Sequence, residues 1–214
     1  MKREVAVRMF STEFIDMFHQ LKSNSKTIYY LAPTGVPVNR VFAVGVLLEK
    51  HETSTESNFW KIKIADPTGT FYGYISRYQT ESFEKIHDIS ELSIVAVTGK
   101  IKVLETENGK FTTLRPENIT TVDETIRDLW VCETAKRTLE RIAIMKEKTS
   151  KLSKMALEVY KPDLGKYINS VKESLRAIHD LSESKEEDNE EDIDELLEEI
   201  YDFTADEWDM EQIM

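Results

Sequence analysis

The feature that most constrains this chain is a series of five strand patterns between residues 39 and 117, interrupted once by a helical pattern. The first pattern is apolar on both faces, and later ones alternate apolar and polar residues with the period of two that is typical of strands. In chain order the patterns cover residues 41–48, 59–66, 70–76, 95–103 and 111–115. The helical pattern, at residues 81–87, lies between the third and the fourth strand.

The turns between these strands are also readable. Asp66-Pro67-Thr68-Gly69 has proline at the second position of a tight turn and glycine at the fourth. Asn108-Gly109 supplies two residues that tolerate positive φ, as a hairpin turn requires. Five strands with a helix after the third is the order of an OB fold, a small Greek-key barrel that binds oligonucleotides on one face. Gly45 falls where the long first strand has to bend. Another small β-barrel or a half-sandwich is the alternative.

Amphipathic helices are predicted after the strands. A helix over residues 123–147 carries one apolar stripe that includes Val131, Leu139 and Ile142, and Thr121 and Glu124 have the spacing of a capping box at its start. Further helical patterns follow at residues 152–159 and 164–178. The stripe needs a cover, which either these later helices or a partner protein provides.

The predicted architecture is therefore mainly β with α: a five-stranded OB-fold barrel, then amphipathic helices and an acidic C-terminal tail. We divide the chain into an N-terminal extension that packs on the barrel, the OB-fold domain, a helical region and the tail. Their ranges are 1–37, 38–121, 122–181 and 182–214.

The acidity of the chain is confined to its C-terminal end. The net charge is −12 over 214 residues, but residues 182–214 hold 16 Asp and Glu against one Lys, a net of −15. The remaining residues carry 24 acids and 27 bases, a net of +3, and the barrel at residues 38–121 carries 11 acids and 10 bases. Because Lys and Arg dominate non-specific affinity for nucleic acid, a barrel with this balance is expected to bind DNA weakly.

No pattern of residues indicates catalysis, a metal or a cofactor. The four histidines lie in separate segments, and none stands with a Ser, Cys or carboxylate in a known nucleophile pattern. The seven glycines form no phosphate-binding loop. The single cysteine, Cys132, excludes an internal disulfide and fits a reducing compartment. No apolar run is long enough for a membrane span. We therefore expect a cytoplasmic protein that is not an enzyme.

Single-stranded nucleic acid binding requires flat side chains for the bases and cations for the backbone. Both kinds occur on the outward faces of the second and third strands, just after the third strand, and on the hairpin between the fourth and fifth. The candidate residues are Lys61, Lys63, Tyr72, Tyr74, Arg77, Tyr78, Lys110, Phe111 and Arg115. Tyr72 and Tyr74 have an alternative explanation, because aromatic residues favour any half-exposed strand. Trp60 is a possible stacking residue, but it shares its parity with Ile62 and Ile64, which favours the core.

The acidic tail contains apolar residues that a solubilising extension does not need. Leu197 and Ile200 fall on one helical face, and Trp208 follows. This pattern indicates a docking peptide that folds on a groove of another protein. The alternative is an acidic strip that competes with DNA for a basic surface.

Several blocks of the sequence resemble the archaeal replication protein A–associated proteins, which are similar to the middle subunit of replication protein A. The resemblance covers about residues 3–142 and does not extend into the last third of the chain. It is carried by Arg3-Glu4-Val5-Ala6, Met9-Phe10, Thr34-Gly35, Val38-Asn39-Arg40-Val41-Phe42, Val44-Gly45-Val46-Leu47, Asp66-Pro67-Thr68-Gly69-Thr70-Phe71, Val95-Ala96-Val97-Thr98-Gly99-Lys100, Arg115-Pro116-Glu117-Asn118-Ile119, Ile126-Arg127-Asp128, Trp130-Val131 and Glu133-Thr134-Ala135-Lys136-Arg137-Thr138-Leu139-Glu140-Arg141-Ile142.

The resemblance implies a subunit or companion of a replication protein A complex that holds single-stranded DNA in replication and repair. It also implies that the helix over residues 123–147 assembles subunits, as the helix after each barrel does in replication protein A. Val131, Leu139 and Ile142 then bind partner subunits. On the tail, which the resemblance does not reach, Leu197, Ile200 and Trp208 are the candidate residues for binding a replication or repair factor. The rival hypothesis is a scaffold that does not bind DNA, whose helices build the complex and whose tail recruits another factor.

Overall fold

The structure is a computed structural model that describes residues 4–22, 27–53, 59–107 and 109–183. Helices and strands alternate irregularly along these residues, and the long strands occupy the middle of the chain. In chain order the elements are β1 (Val7–Arg8), α1 (Ser11–Ile15), β2 (His19–Leu21), β3 (Tyr29–Leu31), β4 (Pro37–Val38), β5 (Arg40–Thr53), β6 (Phe59–Asp66), β7 (Gly69–Ser76), α2 (Thr80–Asp88), β8 (Ile94–Thr106), β9 (Gly109–Thr121), α3 (Glu124–Glu147), α4 (Lys151–Tyr160) and α5 (Leu164–Glu183).

The five long strands, β5 to β9, pair in the order β5-β6-β7-β9-β8, and β8 pairs in turn with β5. All of these pairings are antiparallel except that of β7 with β9, which is parallel and joined through Gly73 and Leu114. This is the strand order of an OB fold, with α2 between the third and the fourth of the five strands. The predicted OB-like β core followed by helices is thus confirmed.

Gly45 marks the point at which β5 changes partner. Residues 40–46 of this strand pair with β8, and residues 46–53 pair with β6, with a register shift between Leu47 and Glu49. A Cβ atom on Gly45 would lie 2.2 Å from the carbonyl oxygen of Ala65, closer than any real Cβ contact. Only glycine fits here without a shift of the backbone, as expected for a strand that serves two partners.

The core is filled by the inward residues of the strands and by the N-terminal segment. Ile62, Ile64 and Phe71 are buried, and Phe14 of α1 packs its ring 5.1 Å from that of Phe71. Trp60 is 8% exposed, which confirms its assignment to the core. The N-terminal strand β1 lies parallel to β5, and β2, β3 and β4 form a second small sheet.

The long helix α3 begins at a different cap from the one predicted. Asp123 is the N-cap, and its carboxylate accepts a hydrogen bond of 2.9 Å from the backbone N–H of Ile126. Thr121 is the last residue of β9 and does not cap the helix. The predicted capping box is therefore wrong, because the strand continues to Thr121 and leaves the next acidic residue to cap the helix.

The apolar stripe of α3 is covered within the chain. Val131 and Ile142 are fully buried and Leu139 is 3% exposed, since α3 packs against α5, α4, β5 and β1. This corrects the assignment of Val131, Leu139 and Ile142 to a partner subunit. Their apolar spacing reflects packing on the later helices, which is the alternative that the sequence left open. None of the helices in the described part of the chain is long and apolar enough to span a membrane.

Candidate nucleic-acid interface

Two tyrosines and two lysines face each other on the outside of β6 and β7. The register places Lys61 opposite Tyr74 and Lys63 opposite Tyr72. Directly opposed residues on one face of an antiparallel pair have Cβ atoms about 4.5–5.5 Å apart, so each lysine is next to one tyrosine. The tyrosine side chains are 51% exposed at Tyr72 and 37% at Tyr74. We call these four residues the tyrosine–lysine face.

Phe59 extends this face and was missed in the sequence. Its ring centroid lies 6.1 Å from that of Tyr74, with the two ring planes tilted by 60°. Phe59 has the same parity in β6 as Lys61 and Lys63. The strand period of two is the signal that could have identified Phe59 from the sequence. Its side chain adds a third aromatic ring to the surface available for stacking.

The two lysines of the face are not electrostatically equivalent. Lys63 Nζ lies 3.2 Å from Glu49 Oε1, and Glu49 is the residue opposite Lys63 in β5. Lys61 stands opposite His51 and has no carboxylate partner among the described residues. Among the described residues, the face therefore has one lysine that is paired with a carboxylate and one that is not.

Arg77 and Tyr78 form the turn that leads from β7 to α2. Tyr78 is 77% exposed, and the Arg77 guanidinium carbon lies 5.4 Å from the centre of its ring. Gln79 holds the turn in place, because its Oε1 accepts hydrogen bonds of 2.8 Å from both the backbone N–H and the hydroxyl of Ser76. Tyr78 is thus an exposed ring on a fixed turn.

The tip of the β8–β9 hairpin carries Lys110 and Phe111, and Asn108 lies outside the described residues. Lys110 Nζ is 2.8 Å from Glu105 Oε1, and this hydrogen bond holds the pKa of Glu105 below its ordinary value. Phe111 is 50% exposed. The hairpin therefore contributes an aromatic surface, with its lysine paired across the two strands.

Arg115 lies on β9, the strand that pairs with β7 on the side away from β6. It stands opposite Lys100, and both side chains line a groove of about 840 Å³ over the outer side of β5, β8 and β9. Tyr78 lines the same groove. The predicted residues are thus brought together in three places: the tyrosine–lysine face, the hairpin tip, and this groove with the turn beside it. Leu197, Ile200 and Trp208 lie outside the described residues.

These surfaces supply aromatic rings and cations, the two groups that hold single-stranded nucleic acid without reading its sequence. Across the residues that the structure describes, no three His, Cys, Asp or Glu side chains are grouped so that they could hold a metal ion. The rings are suited to stacking on bases, and the cations are suited to contact with phosphates.

No family model and no curated protein matches the chain. Among solved structures, the chain is similar to the Stn1–Ten1 complex of S. pombe, with a TM-score of 0.53 and 13% identity over 65% of this chain and 96% of that one. It also matches a replication protein A heterotrimer bound to ssDNA, with a TM-score of 0.47 and 12% identity over 64% of this chain and 98% of the other. The first likeness shows the fold, and the second is too distant to add to it.

Proposed function

We propose that this chain binds single-stranded DNA through the tyrosine–lysine face. The observation that carries the proposal is the register of β6 and β7, which sets Lys61 beside Tyr74 and Lys63 beside Tyr72 with both rings exposed. OB-fold proteins bind nucleic acid on the face formed by their second and third β-strands. Exposed aromatic rings next to cations on that face hold the nucleic-acid chain.

Binding in this proposal is by stacking and by phosphate contact, with no sequence readout and no turnover. A base that stacks on Tyr72 or Tyr74 contributes about 1–3 kcal/mol, whichever base it is. Lys61 is the lysine that contacts a phosphate directly, whereas Lys63 has to exchange its contact with Glu49 for one with the DNA. Phe111 on the hairpin and Tyr78 on its turn extend the aromatic surface.

We further propose that the protein works as a subunit or companion of an archaeal replication protein A complex in replication and repair. The support is the series of sequence blocks between residues 3 and 142 that resembles this family. One solved structure that the chain resembles in fold, Stn1–Ten1, is itself a complex of two proteins. Since the stripe of α3 is buried, a partner subunit has to use another surface. Exposed Ile126 and Leu129 in the first turns of α3 offer one.

The acidic tail is proposed as a docking segment for another replication or repair factor. Its apolar residues Leu197, Ile200 and Trp208 are the anchors, since apolar anchors rather than the surrounding acids carry such contacts. Replacing Leu197 and Trp208 by Ala should greatly reduce the amount of that factor recovered in a pull-down with the full chain. Unchanged recovery of every bound protein would contradict the docking role.

A scaffold that does not bind DNA is the second candidate. Two observations favour it, namely the ion pairs that occupy Lys63 with Glu49 and Lys110 with Glu105. Both reduce the positive charge that the candidate surfaces offer to phosphates.

A fluorescence anisotropy titration of the whole protein with labelled oligo-dT separates these two functions. If DNA binds at the tyrosine–lysine face, we expect saturable binding that weakens with salt, with a slope of about −0.7 in log K against log [salt] for each phosphate neutralised. The absence of binding at low salt would contradict the proposed function and favour the scaffold.

A further inference from the structure

The groove over β5, β8 and β9 is a second candidate surface for a ligand. It runs over the outward residues of these strands, and the start of α2 and the segment at residues 4–6 form its walls. Its volume of about 840 Å³ is within the range of sites that hold ligands.

Three cations form a row across the floor of this groove. The register places Arg40 opposite Lys100 in the pairing of β5 with β8, and Lys100 opposite Arg115 in the pairing of β8 with β9. Arg40 is held by Glu117 through two hydrogen bonds of 2.5 and 3.1 Å. Lys100 Nζ lies farther from the same carboxylate, at 3.8 Å from Glu117 Oε1, and the Lys100 side chain is 48% exposed. Arg115 is exposed and has no partner among the described residues.

The acids of the groove are already occupied by other groups. Glu4 accepts a hydrogen bond of 2.5 Å from the Tyr29 hydroxyl, Glu81 is 3.0 Å from Lys85 Nζ, and Glu117 is bound by Arg40. Glu81 and Glu117 are thus paired with cations, and Lys100 and Arg115 are the exposed cations of the groove and are neighbours on adjacent strands. Such a pair fits the phosphates of a nucleic-acid backbone.

A third exposed tyrosine follows those of β7 along the chain. Tyr72 and Tyr74 point outward from this strand, and Tyr78 follows on the turn after it, held by the hydrogen bonds of Gln79 to Ser76. Tyr78 lines the groove. A nucleic-acid chain whose bases stack on Tyr72 and then on Tyr74, toward the end of β7, therefore reaches the groove at Tyr78.

We propose that single-stranded nucleic acid bound on the tyrosine–lysine face turns at Tyr78 and continues into this groove. A base stacks on Tyr78 there, and Lys100 and Arg115 take backbone phosphates. This inference rests on the proposed function and extends it to a second segment of the ligand. Binding in the groove requires a longer strand than binding on the tyrosine–lysine face alone.

The test compares labelled oligo-dT of about 5 and about 15 nucleotides, which span the range of site sizes for one OB fold. Replacing Lys100 and Arg115 together by Ala should weaken binding of the longer oligonucleotide severalfold and leave the shorter one unchanged. The salt slope for the longer one should fall by about 1.4, or about 0.7 for each lost phosphate contact. The control is Lys154→Ala with Arg176→Ala, which removes the same charges from exposed positions on α4 and α5.

A second variant tests the groove in the opposite direction. Glu117→Gln removes the carboxylate that holds Arg40 and Lys100, and the longer oligonucleotide should then bind more tightly. If the Lys100 and Arg115 variant binds both lengths as the wild type does, the groove inference is wrong while the proposed function stands. Equal weakening at both lengths also overturns it, because the short strand would then occupy the groove. A wild-type chain that binds neither length contradicts both.

Discussion

Arg141 and Glu13 form a buried ion pair that joins α3 to α1. Arg141 Nη2 lies 2.6 Å from Glu13 Oε2, and the two side chains are 8% and 0% exposed. The guanidinium also donates to the hydroxyls of Thr34 and Thr138, at 3.0 and 2.9 Å, and to the carbonyl oxygen of Arg8 at 3.3 Å. The N-terminal segment is thereby tied to the long helix behind the β core.

Replacing Arg141 by Met should lower the free energy of unfolding by about 3–5 kcal/mol, because Glu13 is then left buried without its counter-charge. Urea denaturation measures the change. Arg137→Met is the matched control, since Arg137 pairs with Glu140 at a side-chain exposure of 49% and such pairs contribute about 0–1 kcal/mol. If both variants lose the same small amount, the buried pair does not hold the two elements together.

The pH dependence of stability should carry a contribution from Asp66, which is buried at the β6–β7 turn. Burial raises the pKa of Asp66 above its ordinary value of 3.8, although hydrogen bonds from Ser11 and Thr68 act in the opposite direction. The folded state then binds a proton more tightly than the unfolded state. The contribution of Asp66 to stability therefore falls as the pH rises from about 3.8 through the folded pKa, and is constant above it.

The variant Asp66→Asn isolates this effect, because its side chain does not titrate. As the pH rises through this window, the unfolding free energy of the wild type should fall relative to that of the variant. Urea denaturation at a series of pH values measures it. A difference that grows with pH would mean that the hydrogen bonds from Ser11 and Thr68 outweigh burial.

The burial of Leu139 predicts that a charge at this position destabilises the fold. Leu139→Lys should lower the melting temperature markedly, because an ammonium group then stands unpaired between α3 and its neighbours. Leu129→Lys, at a position of α3 that is 58% exposed, is the control and should leave the melting temperature nearly unchanged. If Leu139→Lys melts like the wild type, α3 is not covered within the chain and its stripe is available to a partner.

The strands and turns were largely predictable because their signals are local. The alternation at residues 59–66 gave both ends of β6, and the Asp66-Pro67-Thr68-Gly69 turn gave its connection to β7. Gly45 was recognisable as a bend because a glycine inside a long apolar strand pattern is typical of one, and the structure leaves no room for a side chain there. The full length of β5 and β9 was not predictable, since their ends are held by pairing with β6 and β8 rather than by an apolar pattern.

The residues of the site could be predicted from the sequence, but the ion pairs formed by its lysines could not. Parity alone placed Tyr72 and Tyr74 outward, and the same parity would have found Phe59. The partners of Lys63 and Lys110, in contrast, are set by register across strands, which sequence spacing does not give. For the same reason the row of Arg40, Lys100 and Arg115 could not be seen in the sequence, where these residues are far apart.

The central claim is that Tyr72 and Tyr74 stack bases, and replacing both by Ala tests it most directly. Anisotropy titration with oligo-dT should show binding weakened by about 2–6 kcal/mol if the two contributions add, with an unchanged melting curve. Phe18→Ala is the matched control, because Phe18 is 39% exposed, close to Tyr74 at 37%, and its ring packs 4.8 Å from Tyr160 on the helical side. If the double variant binds oligo-dT as tightly as the wild type and melts at the same temperature, the tyrosine–lysine face is not the DNA-binding surface.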